Sequence, residues 1–234
     1  PGMGNVGKIT VDFMVESPEA KKFIEIKSNV FPNSVFVNEQ NLIELPKMEL
    51  FYKNTKKNSL IFLCGDIQPI DEKNCHNFCE KILDIFQELN GKEIITVGGI
   101  GLPHIPENPK IYITGNDKKI IEKYKTPKTN NKIYGVVGPI VGVSGLLLGL
   151  AKERNIPAIS LLAETFSHPS YLGLKGARRV IQTLNPLFSL KVSTKDLDRE
   201  IKEMSIEEKN ISKELKRFMP KMPFSKETGT SYIG

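Results

Sequence analysis

Three continuous apolar runs constrain this chain more than any other feature: Ser59–Asp66 (SLIFLCGD), Lys92–Gly99 (KEIITVGG) and Pro157–Glu164 (PAISLLAE). The first two read as buried strands, the first of them buried on both faces, because apolar and polar residues do not alternate along them. Segments of helical periodicity separate the runs. Glu72–Leu89 repeats Phe78, Ile82, Phe86 and Leu89 at spacings of three and four, and Ser144–Asn155 and Pro169–Asn185 also read as helices. Gly7–Glu16 places Ile9, Phe13 and Met14 on one helical face. Further strands are expected at Lys22–Lys27, Asn33–Asn38 and Leu42–Lys53, with Pro46 in a turn or bulge, and at Lys110–Gly115 and Lys132–Gly138 with a short helix between them. Strand and helix alternating in this way predict an α/β fold, a largely parallel sheet covered on both sides, made mixed by the strand-rich first third.

The pattern changes beyond residue 190. Ser193–Asp196 and Ser205–Glu208 resemble capping boxes, and Leu197, Ile201, Met204, Ile211, Leu215 and Phe218 form a narrow apolar stripe. This predicts one long helix or two short ones, packed on the body of the chain or on a partner. The expected organisation is a body over residues 1–190, a helical segment over 191–219 and a polar, flexible tail over 220–234.

Charge and cysteine content narrow the function classes. Lys and Arg number 33 against 27 Asp and Glu, a net charge of +6. The excess is mild and scattered through Asn- and Thr-containing stretches, so no nucleic-acid partner is expected. Three cysteines are too few for a disulfide scaffold and point to a reducing, cytoplasmic setting. Val136–Ala151 is the one stretch that imitates a membrane span, but it is short and contains Pro139 and several glycines. A buried strand followed by a buried helix is the expectation there, with no membrane partner.

The opening PGMGNVGK is the most suggestive motif. Gly2, Gly4 and Gly7 spell G-x-G-x-x-G, and Gly2 to Lys8 falls one residue short of a phosphate-binding P-loop. A P-loop needs a hydroxyl directly after its lysine to hold Mg²⁺. Ile9 stands there, and Thr10 comes one residue late, about 100° further around a helix. The dinucleotide reading places Glu25 near the distance for a ribose contact, yet Glu25 falls inside its own strand pattern. Two readings stay open for Gly2, Gly4, Asn5 and Gly7: a tight turn that lets a helix approach the sheet, or a ligand loop, in which case a small anion at the helix N-terminus is the simplest occupant. A nucleotide- or small-ligand-binding protein, with enzymatic activity, is the alternative function on this basis.

Other candidates are isolated. His76, His104 and His168 have no evident nucleophile or orienting partner. Cys75 and Cys79 are metal-ligand types, but Cys79 shares an apolar helix face and no second ligand pair exists. GVSGL around Ser144 is not a nucleophile elbow. Glu164, at the end of a buried run, is the best single site candidate, against a role as cap of the following helix. No catalytic constellation, metal or cofactor is expected.

Several segments taken together resemble a known family. PGMGNVGK, LCGDIQP (Leu63–Pro69), IITVGG (Ile94–Gly99), GVSGLLLGLAKERNIPAISLLAET (Gly142–Thr165) and the proline after His168 are similar to the archaeal members of the proteasome assembly chaperone family. The resemblance implies a three-layer α/β/α sandwich, similar in outline to nucleoside phosphorylases but without their active site. It also implies a homo-oligomer that is not an enzyme and binds proteasome α subunits to promote core-particle assembly. In that group the extreme C-terminus carries a hydrophobic–Tyr–any motif that inserts between α subunits. The corresponding residues here are Tyr232, Ile233 and Gly234, with Tyr232 third from the end rather than next to last.

Overall fold

The computed structural model describes residues 2–16 and 19–204. A mixed sheet forms its centre. Strand β6 (Ile94–Leu102) runs parallel to β9 (Ala158–Phe166), in register from Ile94 opposite Ala158 to Leu102 opposite Phe166. On the other side of β9 lies β7 (Ile111–Gly115), antiparallel to it, followed by the short β8 (Thr129–Asn130). Buried residues fill β9 almost throughout, as expected of a strand enclosed on both faces.

Side-chain alternation along β9 sorts the helices into two layers. Ile159, Leu161 and Ala163 face a core built with α1 (Val6–Val15), α3 (Lys118–Tyr124) and α5 (Leu174–Phe188). Ala158 faces the other way, into a core with α2 (Glu72–Glu88) and α4 (Val143–Glu153). The result is a three-layer α/β/α sandwich. Leu190 and Val192 extend the first core past α5. So does a further helix, α6, over residues 195–204, through Leu197 and Ile201. The remainder of the expected C-terminal stripe, the second capping box and the tail lie outside the described residues.

A second, antiparallel sheet, in the order β1-β4-β5, comprises β1 (Lys21–Ile26), β4 (Met48–Asn54) and β5 (Ser59–Gly65). Helix α1 lies over both sheets, touching β5 and β6. The strands β2 (Phe36–Val37) and β3 (Ile43–Glu44) form a separate two-stranded ribbon closed by the Asn38 and Leu42 backbone.

Five expectations need correction. β5 is not buried on both faces: its apolar run belongs to an antiparallel sheet, and Ile61 is 44% exposed. The expected strand at Asn33–Asn38 shrinks to two residues, and Pro46 splits the next strand into β3 and β4. Lys132–Gly138 forms turns instead of a strand, because Gly135 takes a positive φ of 75° and its neighbours are unpaired. The strand expected at the start of Val136–Ala151 is likewise absent, and Val136 and Val141 are exposed. Finally, α5 starts five residues later than Pro169. Tyr171 N–H donates to His168 O and Ser170 N–H to His168 Nδ1, which hold 168–173 in turns until Gly173 opens the helix.

Candidate functional site

The glycine loop lies against the carboxyl ends of β6 and β9. Gly2 is extended, Met3–Asn5 form a single 3₁₀ turn, and Gly4 and Asn5 both take positive φ, 58° and 51°, before α1 begins. A side chain at Gly4 is excluded twice over: by its φ, and by Thr165 Oγ1, 2.4 Å from where a Cβ would stand. A Cβ at Gly7 would lie 2.4 Å from the Val97 carbonyl oxygen, and one at Gly99 would lie 2.3 Å from the Met3 carbonyl oxygen. Gly173, at the start of α5, donates its N–H to Gly4 O at 2.7 Å. The room freed by the missing side chains is therefore filled by this chain's own backbone and by Thr165. That geometry supports the tight-turn reading of Gly2, Gly4, Asn5 and Gly7.

Lys8, which in a P-loop would reach phosphates, is otherwise engaged. Its Nζ lies 2.8 Å from Asp12 and 3.0 Å from Asp66. Partial burial opposes its charge, but the two carboxylates outweigh it and hold the pKa above the usual lysine value. Asp66 is displaced the other way. Burial pushes its carboxyl up, while the Lys47 backbone N–H and the Lys8 ammonium pull it down further, to a net value below the usual one. Asn5, Lys8 and Asp66, with Phe36, Glu44 and Leu45 of the ribbon, line an open cleft of about 360 Å³.

The structure brings none of the other candidates together. Glu164 caps no helix, because α5 begins ten residues later. Its carboxylate instead accepts from Lys110 N–H at 2.9 Å and from the Tyr112 hydroxyl at 3.4 Å, tying down the start of β7. Glu25 is exposed beside Lys27 and Lys22. His76 is on α2, His104 follows β6, and His168 follows β9 and stacks on Phe166. Ser144 sits in the first turn of α4. Cys79 donates to Val143 O at 3.9 Å, and burial pushes its thiol up to about 12. No group of three or more His, Cys, Asp or Glu among the described residues is placed to hold a metal. No helix among them is long and apolar enough to cross a membrane. Tyr232, Ile233 and Gly234 lie outside the described residues.

Sequence reasoning missed one surface. The ribbon exposes Val35, Val37, Ile43 and Leu45, each more than half uncovered, and Tyr134 is fully exposed in the loop before α4. The available signal was the near absence of charge over 33–45 and its complete absence over 133–151, in a chain where 26% of residues are charged.

The sequence pattern of the PAC2 family matches residues 1–212. The chain belongs to the PAC2 family. Among solved structures, this PAC2 chain is similar to Pyrococcus furiosus PbaB, an archaeal proteasome activator. The TM-score is 0.80 at 29% identity, covering 91% of this chain and 90% of the other. Pyrococcus furiosus PbaA, an archaeal homolog of proteasome-assembly chaperone, shares the fold with a TM-score of 0.74 at 20% identity, covering 93% and 86%. An uncharacterised protein of Methanocaldococcus jannaschii is 29% identical over 205 residues, 87% of this chain and 77% of the relative.

Proposed function

We propose that this PAC2-family chain is a chaperone-like protein that binds proteasome α subunits and promotes core-particle assembly, with its C-terminal tail as an anchor. The observation that carries this reading is the likeness to PbaB across nine tenths of both chains. In this reading the partners are α subunits and further copies of this chain, and Tyr232, Ile233 and Gly234 make the terminal contact. Tyr232 packs its ring into a pocket between neighbouring α subunits, with Ile233 and Gly234 beside it.

The mechanism follows from reach and multiplicity. The run from Lys221 to Thr230 spans roughly 30 Å when extended. Ordering such a segment costs conformational entropy, so one tail alone binds weakly. Several tails presented by one oligomer raise the overall affinity because each later insertion is intramolecular. The test is capture of α subunits by the full chain and by a chain ending at Thr230. The full chain is expected to retain α subunits and the truncated chain to lose at least tenfold in affinity. Equal capture by both would move the contact from the tail to the body. No capture by either at high protein concentration would end the proteasome reading.

A further inference from the structure

We infer that the cavity over Thr114 is a binding site for a small uncharged molecule with an apolar body and one hydrogen-bonding end, the end being held by the adjacent hydroxyls of Thr114 and Ser160. The inference is independent of the proteasome reading. It starts from a row of hydroxyls across the central sheet. Thr96 on β6 is paired with Ser160 on β9, and Ser160 is paired with Thr114 on β7. Directly paired residues point to the same face with Cβ atoms roughly 5 Å apart, so the three side chains stand next to one another. The row divides two apolar clusters on that face. Ala158, two residues before Ser160, packs with α2 and α4. Leu162, two residues after it, packs with Ile100, Tyr112 and the loop residues Ile133, Val137 and Ile140.

A polar row is out of place between two apolar clusters. Ser160 is wholly buried and Thr96 is 7% exposed, and neither hydroxyl has a hydrogen-bond partner among the described residues. A buried hydroxyl without a partner costs stability that an apolar side chain of the same shape would not. Glu164, the next polar side chain on this face of β9, is satisfied by Lys110 N–H and the Tyr112 hydroxyl. The unused hydrogen-bonding capacity is therefore concentrated at the row, and the row leads outward. Its last member, Thr114, is half-buried and lines an open cavity of about 670 Å³ with Ile133, Tyr134, Val137 and Ile140. Small-molecule sites have volumes of roughly 300–1,000 Å³ and combine apolar walls with a few placed polar groups. Ser160 stands directly behind Thr114. Each hydroxyl has one donor and two acceptor positions, so Thr114 can hold a ligand on one side and Ser160 on the other. A ligand bonded to Thr114 fixes that hydroxyl and links the row into a chain, in which each bond polarises the next.

Charge selects the ligand. No Asp, Glu, Lys or Arg occurs over 133–151, and none lines the cavity. An ionised group seated on Thr114 would lose water without gaining a counter-charge. The aliphatic and aromatic walls take an apolar body. Thr114 takes an end that donates, accepts or does both without ionising, such as an alcohol, a phenol or a neutral amide.

Two probes that differ by one hydroxyl test this. Benzyl alcohol and toluene are titrated at millimolar concentration into the full, isotope-labelled chain, and the backbone amides are followed by NMR. Benzyl alcohol is expected to shift the Thr114, Gly135 and Gly138 amides saturably and to bind about fivefold more tightly than toluene. Thr114→Val and Ser160→Ala are each expected to abolish that preference and to leave toluene binding unchanged. Benzoate, of similar size but charged, is expected to bind about tenfold more weakly than benzyl alcohol. The absence of saturable shifts at these amides with benzyl alcohol would overturn the inference and leave the row as a seat for ordered water. Equal affinity for benzyl alcohol and toluene, a wild-type preference retained by either variant, or benzoate binding as tight as that of benzyl alcohol would also overturn it. Should Thr114→Val melt early, Ser160→Ala decides alone, since it removes only an unpartnered oxygen.

Discussion

At the scale of single residues, the glycines are the most constrained positions in the chain. Gly7 and Gly99 both face backbone oxygens, which cannot swing aside as a side chain can. Gly99→Ala drives a methyl group against the Met3 carbonyl and forces the N-terminal turn off β6, at a cost of about 1–3 kcal/mol. Chemical denaturation should show the drop as a lower midpoint with an unchanged slope. A midpoint within error of the wild type would mean that the turn is held elsewhere. The spacing of these glycines was plain in the sequence, but spacing alone does not distinguish a cradle for phosphates from a seat for a neighbouring strand. That distinction depends on Val97, Met3 and Thr165, which are near the glycines only in three dimensions.

At the scale of elements, Asn116 is a joint that periodicity cannot reveal. Its side chain donates to Ile156 O at 2.8 Å and accepts from Ala158 N–H at 2.9 Å, linking the end of β7 to the start of β9. Asn116→Ala leaves those groups unpaired beside the fully buried Ala158 and is expected to cost about 1–3 kcal/mol. Hydrogen exchange at Ala158 should rise accordingly, and unchanged protection there would refute the joint. The link between Asp66 and Lys47, each backbone N–H accepted by the other residue, has a pH signature. Asp66 has its folded-state pKa below the usual value of 3.8, so its contribution is present above that value and lost as pH falls through the lower, folded one. Lys8, raised above 10.5, contributes below that value and loses its effect as pH rises through the folded one. Asp66→Asn should therefore flatten the fall in melting temperature as pH drops below about 4, and a variant that falls as steeply as the wild type would exclude Asp66 as its source. The helices α1, α2 and α4 and the strands β6, β7 and β9 were legible because apolar periodicity directly reports burial. β5 and the 132–138 segment were not. An apolar run has the same letters whether a second layer covers it or solvent does, and Gly135 turns a chain that otherwise reads as strand.

At the scale of the whole molecule, the three layers place the N-termini of α1, α4 and α5, the base of the ribbon and the loop over 133–142 around the carboxyl ends of the central strands. In many open α/β sheets that end receives a small ligand. Here Met3, Gly4 and Gly173 close the part beside β6 and β9, and the part that remains uncovered is apolar and protrudes, as suits a protein partner. The missing cations of that region have a practical consequence for digestion. Trypsin has no site between Lys132 and Lys152, so it passes over the loop whether or not anything covers it. Chymotrypsin cuts after Tyr134, which stands entirely free of its own chain. A protein seated on the loop should therefore slow cleavage of this one bond, and its cleavage rate becomes a clock for how long the loop stays covered.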